Sequence, residues 1–209
     1  MPFDLWLTFV AASIALLLIP GPTVLLVLSY ALSKGRSVAV ASAAGVALGD
    51  LVAMSASLAG LGALVLTSAT LFTALKWAGA VYLVWLGIKL LRSAPSGGMS
   101  LPQSADITGK QVFGHAAAVT ALNPKSIAFF VAFVPQFLTP DAPLLPQFII
   151  LIATFVSLAA LNALAYALLA DRLRRIIDRP SVITWITRAG GAALITMGIL
   201  TATLRRSTT

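Results

Sequence analysis

The chain has no cysteine, one histidine and only six acidic residues among its 209. Without cysteine there is no disulfide, no thiolate metal site and no inference about redox compartment. A single histidine and few acids are poor material for a metal-dependent or acid–base enzyme. Charge is scarce altogether: 10% of residues are charged, against about 25% in a soluble domain. The chain is 59% hydrophobic with a mean hydropathy of +1.00. Such a composition cannot cover a water-facing surface, so the sequence predicts an all-α integral membrane protein with the lipid bilayer as its solvent. The net charge of +8 would suggest nucleic acid in a soluble protein. In a membrane protein basic loops report orientation instead, and no nucleic-acid partner is expected. The first residues, Met1-Pro2-Phe3-Asp4, lack the basic start of a secretory signal, and the apolar run after them is too long for one. That run reads as a retained first helix.

Six stretches have about the ~20 residues needed to cross the hydrocarbon core, or somewhat more. They are 5–32, 38–66, 71–91, 112–138, 148–170 and 182–204. Between the third and fourth, the Ser-, Gly- and Pro-rich stretch 93–111 reads as a flexible cytoplasmic linker. It divides the membrane domain into a first three-helix half, 1–92, and a second, 112–209. Lys34, Arg36, Lys89, Arg92, Lys110, Arg172, Arg174, Arg175 and Arg179 fall on one side of this arrangement. Arg205 and Arg206, with Lys76 nearby, fall on the other. The richer side is expected to be cytoplasmic, which places both termini outside.

The two halves resemble each other. Gly79, Leu83, Gly87 and Ile88 recur as Gly190, Leu194, Gly198 and Ile199 at an offset of 111. Pro22 matches Pro124 at 102, and Asp50 falls opposite Asn162 at 112. An odd number of helices per half makes the repeats inverted, the architecture in which transporters place a midplane site between discontinuous helices.

The fourth stretch carries Asn123-Pro124-Lys125 at its centre. Proline removes a backbone donor and clashes with the carbonyl four residues back, and it pushes the residue before it out of the α region. Lys125 brings a charge that costs roughly 2.5–3.5 kcal/mol at mid-membrane on insertion scales. A broken, charged helix centre is tolerable only within protein or beside a water-filled cavity. The first stretch is interrupted in the same way by Pro20-Gly21-Pro22, and the second carries Asp50 after Gly45-x-x-x-Gly49. Counted from the predicted cytoplasmic ends, Pro20, Asp50 and Lys125 share one depth of roughly 20 Å at 1.5 Å per residue.

Each feature has a plainer alternative. The double proline could be a simple kink; as a break, it frees carbonyls on one side and exposes N–H groups that suit a carboxylate on the other. Gly45 and Gly49 let helices approach closely and are expected to serve packing. For Asp50, desolvation favours the neutral acid and a nearby cation the ionised one. Either state suits a proton carrier or an ammonium partner, and a permanent Asp50–Lys125 ion pair is the alternative. Lys125 lies too deep to snorkel and could hold a carboxylate, while Asn123 offers donor and acceptor together. Asn162 is expected to hydrogen-bond across helices or to face the site. His115 reads as a structural hydrogen bonder, Lys76 and Arg188 as anchors, and Trp6, Trp77, Trp85, Trp185 and Tyr82 include interfacial aromatics. Pro135-Gln136-Phe137 is expected to end or kink the fourth span.

Together, Pro20-Gly21-Pro22, Gly45-x-x-x-Gly49-Asp50, Gly79-x-x-Tyr82-Leu83-x-Trp85-Leu86-Gly87, Asn123-Pro124-Lys125 and Pro135-Gln136-Phe137 resemble the LysE/RhtB family of amino-acid exporters. The resemblance covers nearly the whole chain. It implies a bacterial inner-membrane exporter of amino acids or their analogues, driven by the proton gradient, with no cofactor. The family's motif positions carry over to Pro20, Gly21, Pro22, Gly49, Asp50, Asn123, Pro124 and Lys125. Thr23 stands where relatives often have Asp or Asn, which allows for a different substrate. On this reading the substrate carboxylate meets Lys125 or the half-helix starting at Pro22. Its ammonium meets Asp50 and freed carbonyls near Pro20 and Asn123, and proton uptake by Asp50 favours release. Two other classes stay open: a divalent-metal efflux protein, for which the ligand set is thin, and a non-transporting membrane scaffold. An enzyme would need a paired acid and base or a nucleophile, and none is in view. Small-residue faces on the second, third and sixth spans permit a homodimer without requiring one.

Overall fold

The computed structural model describes residues 1–19, 21–67, 69–92, 108–139, 142–170, 172 and 180–203. These residues form helices and connecting turns, with no strand among them. The first expected span is two helices, α1 (Phe3–Leu18) and α2 (Pro22–Lys34). Pro22 suits the first turn of α2 because its missing N–H would be unbonded there anyway. Gly35, with φ of 69°, ends α2 in the left-handed region that a side chain would strain. A single 3₁₀ turn, Gly35–Val38, leads into α3 (Ala39–Thr67), and α4 (Ala69–Arg92) follows.

The fourth span comprises α5 (Gly109–Ala121), α6 (Pro124–Ala128), a π-helical turn at Phe129–Phe133 and a 3₁₀ turn at Val134–Phe137. The last two helices are α7 (Leu144–Leu168) and α8 (Pro180–Thr203). Every expected span coincides with helix, and no boundary differs by more than four residues. One correction concerns the linker. Thr108 and Gln111 form a reciprocal capping box at the head of α5, so the helix begins inside the stretch read as linker. Residues 93–107 lie outside the described residues.

Four helical runs are long and apolar enough to cross a bilayer, and a fifth if the two pieces 109–121 and 124–137, bent by 41°, make one span. The chain is therefore a multi-pass membrane protein. One of the four, Pro22–Gly62, contains Gly35, whose left-handed backbone divides it into α2 and α3.

Glycines set how the helices meet. A Cβ on Gly45 would lie 2.4 Å from the Phe113 carbonyl oxygen, and one on Gly49 would lie 2.6 Å from that of Ala117. Moving four residues along α3 thus moves four along α5, so the two run parallel in close contact. On the other side of the molecule, a Cβ on Gly87 would lie 2.6 Å from the Gly191 oxygen, and one on Gly198 2.8 Å from the Ala80 oxygen. Here the residue numbers run in opposite senses, so α4 and α8 are antiparallel. Gly45, Gly49, Gly87, Gly191 and Gly198, on the second, third and sixth expected spans, thus pack within one chain.

The largest buried side chains form one aromatic cluster. Phe9, Phe129, Phe130, Phe133, Phe137 and Phe155 touch in stacked, tilted and edge-on pairs with centroids 4.8–6.4 Å apart, geometries that add to simple area burial. The π turn that carries three of them was not anticipated. Pro135 supplies no N–H to its own turn, and just before it the Val134 N–H donates to Phe129, five residues back. The helix is wider there, and Pro135-Gln136-Phe137 then closes it as a 3₁₀ turn.

Candidate functional site

The first helix break leaves the last carbonyls of α1 without intrahelical partners. Side chains from the second half of the chain take them up. The Lys125 Nζ donates to the Leu16 and Ile19 oxygens, each at 3.0 Å. The Asn162 Nδ2, from α7, donates to the Leu17 oxygen at 3.3 Å. A helix C-terminus carries partial negative charge, so an ammonium is well suited to this seat. Gly21 lies beside it, and a Cβ there would be 3.5 Å from Nζ, an ordinary contact.

The second break is capped from within. Asn123 is extended and is the N-cap of α6, its Oδ1 accepting from the Lys125 N–H at 3.1 Å. The Leu122 and Asn123 N–H groups donate back to Ala118 and Thr120. The Asn123 Nδ2 donates to the Thr23 Oγ1 at 3.3 Å, and Thr23 and Thr120 share a hydroxyl contact of 3.3 Å. Thr23 is in the first turn of α2, so this small network ties one break to the other.

Between the breaks lies a cavity of about 30 Å³, measured as the space that water centres can reach. That is room for about two waters. Asp50, Asn123, Lys125 and Asn162 line it together with Thr23 and Thr120. Asp50 is 2% exposed, and its Oδ1 is enclosed without a hydrogen-bond partner. Among the described residues Asp50 and Lys125 form no direct ion pair: Lys125 donates to carbonyls and the Asp50 Oδ1 accepts no hydrogen bond, while the two charges attract across the cavity. This also departs from the expectation that the freed carbonyls near Pro20 stand open and that Lys125 offers its charge to a carboxylate.

The structure brings most of the predicted residues together and sets others aside. Gly21 and Pro22 form the junction into α2, and Pro124 starts α6. Pro20 lies outside the described residues. Gly49 faces α5 rather than the cavity, a packing role fixed by its distance to the Ala117 backbone. Tyr166 and Ser126 also line the cavity, and neither was singled out. Their signal was spacing: Tyr166 is one turn after Asn162, and Ser126 follows Lys125 at the break. His115 accepts or donates a short hydrogen bond at Nδ1 with the Tyr30 hydroxyl, joining α5 to α2. Trp77, Trp85 and Trp185 are at least half exposed and turn away from the cavity, as lipid-interface aromatics do.

The cavity is partly enclosed, with different walls toward its two ends. One or two turns from its wall, Phe9 beyond Leu16, Phe129 beyond Ser126 and Phe155 before Ala159 all lie toward the same side, so the aromatic cluster lies beyond that end. The other end is flanked by α2, α5 and α7, with Val24, Val27 and Tyr166 on the wall and the Tyr30–His115 contact further along.

The profile of the LysE type translocator family matches residues 14–205. A homoserine/homoserine lactone efflux protein of Salmonella typhimurium is 35% identical over 208 residues, covering 99% of this chain and all of that protein. The protein of the same name from Salmonella typhi is 34% identical over 208 residues. An uncharacterized membrane protein of Vibrio cholerae is 34% identical over 206 residues, covering 98% of this chain and all of the relative. No solved structure matches. With its two broken helices, a buried acid between them and a family match over nearly its whole length, this chain belongs to the LysE type translocator family.

Proposed function

We propose that the protein is a proton-driven exporter of small amino acids or close analogues, with homoserine and its lactone as the first candidates, in the bacterial inner membrane. The observation that carries this reading is the cavity itself, where an unengaged acid and two helix breaks meet. The substrate ammonium binds Asp50 and, once Lys125 yields, the Leu16 and Ile19 carbonyls. Its carboxylate, or the ester carbonyl of the lactone, faces the start of α2, where the N–H groups of the first turn, the Thr23 hydroxyl and Asn123 converge. Asp50 is the one acid on the cavity wall, so no second carboxylate waits for a cationic side chain, and a neutral one is favoured. A proton from outside neutralises Asp50, weakens the ammonium contact and promotes release. An amino acid is larger than two waters, so the cavity must widen to load.

The chain is read as six spans in two inverted halves, with α1–α2 as the first span and α5 through Phe137 as the fourth. Support comes from the glycine contacts. Shifting Gly87 by +111 and Gly191 by −111 turns their contact into Gly198 against Ala80, and both contacts are present. The basic residues of Lys34, Arg36, Lys89, Arg92 and Lys110 would then mark the cytoplasmic face, with both termini outside. The aromatic cluster would close the outer end.

Counterflow in proteoliposomes tests the function. Labelled homoserine should accumulate against an unlabelled internal pool, and an inward proton gradient should drive net export. Asp50→Asn should reach the membrane normally yet lose the response to the gradient entirely. Absence of flux for every amino acid in a panel, or normal gradient response in the Asp50→Asn variant, would sink the corresponding part.

A further inference from the structure

The seat at the end of α1 is occupied by a group chemically equivalent to the one the substrate brings. Lys125 ends in a primary ammonium with three donors, and two of them are on the Leu16 and Ile19 oxygens. The side chain belongs to the other half of the molecule and reaches across from the turn after the second break. No acid is in ion-pair contact with it among the described residues, although Asp50 attracts it from across the cavity. An amino-acid ammonium arriving at Asp50 competes for the same neighbourhood, and the flexible four-carbon stem allows Lys125 to yield.

We infer that Lys125 is a tethered stand-in for the substrate: its ammonium fills the cation seat of the broken helix when the carrier is empty, and so permits the unloaded protein to change its facing. Three observations support this. The break exposes carbonyls that must be satisfied if the cavity is to close without substrate. The cavity is small and largely walled by protein, with room for about two waters. Asn162, the third side chain at the seat, takes only Leu17, leaving Leu16 and Ile19 to Lys125 alone among the side chains described. With the seat vacant, the empty form would leave the Ile19 oxygen without its donor and the Leu16 oxygen with the Ile19 N–H alone, and the return half of the cycle would stall. The loaded half would proceed, because substrate then supplies the ammonium.

This inference rests on the export reading above, and its test separates the two. Net efflux into substrate-free medium requires the empty return, whereas exchange with substrate on both sides does not. In reconstituted Lys125→Gln, net homoserine efflux should fall at least tenfold further than saturating exchange does. Lys125→Arg, which keeps the charge, should recover part of the net flux. Methylammonium added to Lys125→Ala should restore net efflux by refilling the seat. A parallel loss of exchange and net efflux in a folded Lys125→Gln protein, or no loss of either, overturns the inference. So does failure of all three variants to insert, since a side chain that leaves its seat each cycle cannot be a structural pin. If wild-type protein shows no exchange, it is the export reading that fails.

Discussion

The two helix breaks use the same residue, proline, and are maintained in opposite ways. The second is self-sufficient: Asn123 caps its own helix, and the neighbouring N–H groups bond to carbonyls of α5. It also rests on a rigid frame, because α5 is pressed against α3 through Gly45 and Gly49. The first break depends on strangers. Its freed carbonyls are met by Lys125 and Asn162, more than a hundred residues away in sequence. A local cap cannot leave without unravelling its helix, whereas a cap lent by a distant side chain can be withdrawn. The first break is therefore the movable part of the site and the second its fixed wall.

Substitutions can break or sharpen that contrast. The largest effect is expected where the fixed wall is seated. Gly45→Val places branched carbons against the Phe113 backbone, and overpacking of this kind costs about 1–3 kcal/mol or more. The unfolding temperature in detergent should drop clearly and transport should be lost with it. A fully stable variant would mean that α5 is not held as tightly as the wall requires.

Next comes the pair of asparagines. Asn123→Ala removes a local cap, typically worth about 1 kcal/mol, and Asn123→Asp should keep most of that stability because Asp caps as well. Asn162→Ala removes one hydrogen bond at the movable break, about 0.5–1.5 kcal/mol, and should alter transport rate more than melting temperature. If Asn162→Ala destabilises more than Asn123→Ala, the assignment of fixed and movable breaks is reversed. The smallest effect belongs to Gly21→Ala. A Cβ there makes ordinary contact with Lys125, so stability should stay within about 0.5 kcal/mol and export near the wild-type rate. A large loss would show that the first break tolerates no crowding at all.

Much of the architecture could be read from the chain because membrane spans are long, apolar and sharply bounded. The breaks were legible for a related reason: proline and charge in hydrocarbon are costly enough to require an explanation. Asp50, Asn123, Lys125 and Asn162 were singled out on that ground, and all four line one cavity. The π turn at Phe129–Phe133 was not legible, since its phenylalanines suit an ordinary helix equally well. Ser126, Thr120 and Tyr166 went unnoticed because small polar residues and tyrosine are cheap within a span and carry no periodic mark. Gly49 stood among the site residues only through the family's motif, while its small size pointed to packing, and it packs on α5.

By itself, then, the order of residues determined that the protein crosses a membrane, where its helices must break, and which polar groups cannot face lipid. Those conclusions need only the local cost of a missing donor or a buried charge. Which donor meets which acceptor was decided by the packed structure. Lys125 had two oppositely charged destinations, an aspartate and the end of a broken helix, and sequence carries no distance by which to choose. Only the closeness of α6 to the Leu16 and Ile19 carbonyls, set by how the two halves fold against each other, made the choice.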